Sequence, residues 1–106
     1  MSRILICDDE AGIRESLKLI LEDDYDITLS SDRQECLNLL EGKDLLILGI
    51  RKCDLDILKR VKEINPSLKT ILILNYKDTD LSGSEDYVVK PFSSKEILAK
   101  VKGQLD

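Results

Sequence analysis

Leu45 to Leu48, LLIL, places four large apolar side chains at consecutive positions. A strand alternates its side chains between two faces, so this segment must bury both, as a central strand does in a parallel sheet covered by helices on each side. Three further runs fit beside it: ILIC (Ile4 to Cys7), ILIL (Ile71 to Leu74) and YVV (Tyr87 to Val89), with a shorter candidate at Ile27 to Ser30. The segments between them carry helical stripes: Ile13, Leu17, Ile20 and Leu21; Cys36, Leu37 and Leu40; Ile57, Leu58, Val61 and Ile64; Ile97, Leu98, Val101 and Leu105. The order is βαβαβαβ, an irregular stretch, then βα. Such alternation implies a doubly wound α/β sheet with right-handed crossovers, which brings the carboxyl ends of all strands to one edge.

Local signals punctuate the pattern. Ser31 with Gln34, or Asp32 with Glu35, offers a capping box to the second helix, and Ser93 with Glu96 offers one to the last. Gly42 is the expected end of the second helix, and Asn65-Pro66 stops the third. Asn75 to Asp86, NYKDTDLSGSED, stands where a fourth crossover helix belongs, yet it holds one aliphatic residue, Leu81. It reads as a loop with at most one helical turn.

Bulk properties exclude several function classes. The 106 residues, 42% of them hydrophobic, suit one domain over 1–106. Scattered basic residues and a net charge of -5 argue against direct nucleic-acid binding, which needs clustered Lys and Arg. No apolar run is long enough for a membrane span, and MSRILIC does not continue into a signal peptide, so a cytoplasmic protein is expected. Three cysteines without a C-x-x-C spacing fit a reducing compartment and give no zinc site, while histidine is absent. Cys7 and Cys36 fall on apolar stripes and read as small buried hydrophobes.

The strand ends carry the chemistry. ILIC runs into Asp8-Asp9-Glu10, YVV into Lys90-Pro91, and LLIL into bare Gly49. Read alone, the acids are a charged helix start that caps backbone N–H groups, and Asp54 and Asp56 likewise read as caps of the third helix. Taken together, ILICDDEAGIRESLKLIL, KDLLILGIRK, INPSLKTILIL and DYVVKPFSSKEIL resemble the receiver domain of two-component response regulators over essentially the whole chain.

That resemblance implies a flavodoxin-like, five-stranded parallel sheet of order 2-1-3-4-5, with the fourth crossover helix shortened or replaced by a loop. It makes Asp9 a direct ligand of Mg2+ and Asp8 its acidic neighbour. Lys90 becomes the phosphate-sensing lysine, Tyr87 the switch aromatic, and Asn75 stands in for the hydroxyl residue after the fourth strand. Lys90-Pro91 is the bond the family usually holds in cis. Gly49 occupies the position of the phosphoacceptor aspartate.

A glycine accepts no phosphoryl group, and its presence removes one metal ligand. Mg2+ is then expected to bind weakly at Asp8 and Asp9, and Lys90 to pair with one of those acids, fixing the rim in one state. The expected function is that of a degenerate receiver: a non-enzymatic, phosphorylation-independent interaction or regulatory module serving a protein partner or a fused output domain. Loss of the fourth helix uncovers the side of the fourth and fifth strands, which points to a homodimer through that side unless Leu81 and Tyr76 fold over it. Two alternatives differ in class: a receiver that accepts phosphate on another acid such as Asp54 with Mg2+, and a thiol sensor acting through Cys53 beside Arg51 and Lys52.

Overall fold

The computed structural model describes residues 1–51, 54–83 and 85–106. Five parallel strands, β1 (Arg3–Cys7), β2 (Asp26–Ser30), β3 (Leu45–Gly49), β4 (Lys69–Leu74) and β5 (Asp86–Val89), form one sheet in the order β2-β1-β3-β4-β5. Among the described residues, α1 (Ala11–Leu21), α2 (Arg33–Asn38) and α3 (Leu55–Ile64) connect the first four strands, and α4 (Ser94–Leu105) follows β5. Strand order and direction match the doubly wound arrangement expected from the alternation of runs and stripes.

The two-residue period of the strands sorts the core into two layers. Leu5, Cys7, Leu46, Leu48, Leu72 and Leu74 meet Cys36, Leu37, Ile57 and Val61 of α2 and α3. On the other face Ile4, Ile6, Leu45, Ile47, Ile71 and Ile73 meet Leu17, Leu21, Ile97 and Val101 of α1 and α4. Consecutive residues of β3 therefore serve opposite layers, which is why all four had to be apolar.

The caps follow the sequence closely, with two differences. Asp32 accepts from the Gln34 backbone N–H, and Ser93 Oγ from that of Glu96 at 3.1 Å. Gly42, however, lies beyond α2, which ends at Asn38; its positive φ of 77° serves the turn into β3. Ile64, expected on the inner stripe of α3, is 54% exposed; it is the last residue of that helix.

Between β4 and β5 the chain makes a 3-10 segment, Tyr76–Ser82, interrupted by non-helical backbone at Asp78. This is more helical than a loop with a single turn, yet the kink keeps each piece short, as the poorer 3-10 geometry favours. Leu81 packs onto the α2/α3 layer, as Tyr87 does. Tyr76 does not join it: the ring is 71% exposed, with the Lys77 ammonium 5.8 Å from its centroid. Of the two residues expected to cover the β4/β5 side, Leu81 turns inward and Tyr76 does not. Among the described residues no helix is long and apolar enough to cross a membrane.

Candidate functional site

Because every strand runs the same way, residues that follow Cys7, Gly49, Leu74 and Val89 share one rim. Asp8, Asp9 and Glu10 enter it from β1, Arg51 and Asp54 from the connection after β3, Asn75 from β4 and Lys90 from β5. The Lys90-Pro91 peptide is cis.

Asp8 is the buried member, with a side chain only 1% exposed. Its Oδ1 accepts from the Glu10 N–H at 2.8 Å, and its backbone carbonyl accepts from Arg14 at 2.7 Å. Oδ2 is buried and makes no hydrogen bond; it faces Lys90 Nζ at 3.6 Å. Burial pushes this carboxyl above the ordinary range, opposed by the Glu10 N–H and by Lys90, while Asp9 and Glu10 push the same way as burial.

The neighbour of that orphaned oxygen is Gly49. A Cβ placed on Gly49 would lie 2.0 Å from Asp8 Oδ2 and 2.7 Å from its Cγ. The Asp8 carboxylate therefore occupies the space in which a side chain at position 49 would begin.

Each acid of the rim already faces a cation. Lys90 Nζ donates to Glu10 Oε1 at 2.7 Å as well as facing Asp8. Arg51 Nη2 lies 2.9 Å from Asp9 Oδ2, and its Nε lies 3.5 Å from Asp54 Oδ2. Asp54 also accepts from the backbone N–H of Arg51 and pairs through its other oxygen with Arg33, which reaches Asp56 at 3.5 Å. The acids after β3 thus bind arginines, and Asp54, although it stands at the N-cap of α3, makes no capping bond with its side chain.

Ligand oxygens of Asp8, Asp9 and Glu10 lie within 4.8 Å of one another, the compactness a hard cation needs. In this arrangement β3 adds no carboxylate to the set, Asp8 Oδ2 is turned onto Gly49, and Lys90 and Arg51 pair with the acids.

A cavity of about 240 Å³ opens beside this cluster, lined by Asp8, Asp9, Gly49, Arg51 and Asp54 and floored by Cys7, Cys36, Leu48 and Ile57. Cys7 and Cys36 are free and buried, and a hydrogen bond between the two thiols, together with burial, pushes the Cys7 thiol up. This agrees with their reading as small apolar residues. Lys52 and Cys53, the site of the thiol-sensor alternative, lie outside the described residues.

The structure brings Asp8, Asp9, Gly49 and Lys90 to one rim. Lys90 takes Asp8 and Glu10 rather than Asp9, whose partner is Arg51. Asn75 is exposed at the head of the 3-10 segment, and Tyr87 is half-buried against the α2/α3 layer. The sequence marks Glu10 only as part of the acidic helix start and Arg51 only as a neighbour of Cys53, and gives Arg33 no role; a scatter of Lys and Arg gives no sign of which ones fold over an acidic pocket.

No family model matches the chain. It is 34% identical over 116 residues (97% of this chain, 45% of the relative) to the transcriptional regulatory protein TrcR of Mycobacterium tuberculosis. Over 115 residues it is also 34% identical to the alkaline phosphatase synthesis transcriptional regulatory protein PhoP of Bacillus subtilis (97% of this chain, 48% of the relative). The chain thus spans about half the length of the curated relatives it matches. Among solved structures it resembles the response regulator protein TrrA of Thermotoga maritima in complex with Mg2+-BeF, with a TM-score of 0.88 and 33% identity over 99% of this chain and 100% of the other.

Proposed function

Because the chain belongs to the receiver domains of two-component response regulators, we propose that it is a receiver that works without phosphorylation. The observation that carries this reading is Gly49, with the Asp8 carboxylate folded into the space above it. An acyl phosphate at this position needs a carboxylate there, and glycine has none.

Lys90, in place of a phosphoryl group or an acceptor aspartate, faces the buried Asp8. That pairing is internal to the fold and needs no donor, so it supports a rim held in one state. Mg2+ binding is weak on this reading, since the acids left for it are paired or turned away. The work that remains is recognition: docking a protein partner or an output domain in cytoplasmic signalling, with transcription regulation as the setting of the curated relatives. A homodimer through the β4/β5 side has Tyr76 as its exposed apolar contact.

The test is intact mass after incubation with acetyl phosphate and Mg2+, quenched in acid, on the native chain and on Gly49→Asp. The expected result is no adduct on the native chain. A Mg2+-dependent adduct there, for instance on Asp54, overturns the reading.

A further inference from the structure

We propose that Arg51 is a built-in competitor of divalent cations, a guanidinium that holds Asp9 in place of a metal. The inference deepens the weak-Mg2+ part of the reading above by naming the residue responsible.

Three contacts fix Arg51 where it sits. Its backbone N–H donates to Asp54 Oδ2 at 3.2 Å, its Nε lies 3.5 Å from the same oxygen, and its Nη2 reaches Asp9 Oδ2 at 2.9 Å. Asp54 is itself anchored, with a side chain 12% exposed and its other oxygen on Arg33. The residue is therefore tied at its main chain by Asp54 and at its guanidinium by Asp54 and Asp9 together, so two acids share the cost of ordering one side chain.

The division of labour between the two rim cations is complementary. Lys90 serves Asp8 and Glu10, while Asp9 pairs with Arg51. A divalent cation drawn to this cluster needs Asp9, the exposed acid beside Asp8, and meets Arg51 already on its Oδ2. It also meets the repulsion of that positive charge at close range.

Mg2+ affinity, measured by isothermal titration calorimetry with MgCl2 at constant ionic strength, separates this from a mere change in net charge. Arg51→Gln is expected to bind Mg2+ roughly fivefold more tightly than the native chain, the scale of one partly exposed ion pair. Arg33→Gln removes the same charge from the neighbouring pair with Asp54 and leaves Asp9 untouched, so its gain is expected to be much smaller. Equal affinities for native and Arg51→Gln, equal gains in the two variants, or no binding by Arg51→Gln at all would each overturn the proposal. The titration contains no phosphodonor. An acyl phosphate on the native chain would therefore overturn the function proposed above without deciding the role of Arg51, and equal Mg2+ affinities would do the reverse.

Discussion

The Asp8 carboxylate and the α-carbon of Gly49 lie so close that no side chain fits between them: a Cβ at position 49 would meet Asp8 Oδ2 at 2.0 Å. The backbone does not demand glycine there, because among the described residues only Gly42 and Gly83 have positive φ. What position 49 supplies is room, and Asp8 fills it. Gly49→Ala is therefore expected to cost about 1–3 kcal/mol, the usual range for overpacking. Combined with Asp8→Ala the cost should largely vanish, a coupling that urea unfolding of the two single variants and the double variant measures directly. Additive costs would mean that Asp8 swings aside freely.

Lys90 is the one cation paired with the buried Asp8 carboxylate among the described residues, Arg14 binding only its backbone carbonyl. Lys90→Met leaves that carboxylate without its counter-charge in a site where burial already disfavours ionisation. The expected loss is about 1–2 kcal/mol, between the values for exposed and for buried pairs, since the lysine side chain is 20% exposed and 3.6 Å away. Asp8→Asn on the Lys90→Met background should recover part of it, read again by denaturant unfolding.

A second acid ties β5 to α4. Burial pushes the Asp86 carboxyl up, but Lys100 Nζ at 2.7 Å, Gln104 and the Tyr87 N–H outweigh it and hold the carboxyl below the ordinary carboxylate range. A depressed folded-state pKa adds stability that is fully present above the unfolded value near 4 and is lost as pH falls through the folded value. Asp86→Asn should accordingly destabilise by under about 1 kcal/mol at pH 7, and the difference should close as pH drops below about 4. Thermal melts of both proteins across that window give the result; a gap that persists in acid would assign the loss to packing.

The fold was legible because its causes are local and repeated. Four apolar residues in a row at Leu45 to Leu48 leave a strand no polar face, and the stripes of α1, α3 and α4 leave each helix one face to bury. Ile64 shows the limit of that argument: its spacing matched the stripe, but it ends α3 and is 54% exposed, and only the tertiary packing decides whether the last residue of a helix has anything beneath it. Tyr76 and Leu81 show it again, since two apolar residues in one polar segment give no sign of which turns inward.

At the rim the division is sharper. The sequence by itself determined that β3 ends without a carboxylate, that β1 delivers adjacent acids and that β5 delivers a lysine, because strand direction sends those residues to one edge. Only the tertiary structure decided how the charges pair. Asp8 turns onto Gly49, Lys90 reaches past Asp9 to Glu10, and Arg51 closes on Asp9 with Asp54 behind it. Ion pairs form between residues far apart in sequence, and which cation meets which acid depends on loop paths and burial that no spacing along the chain encodes.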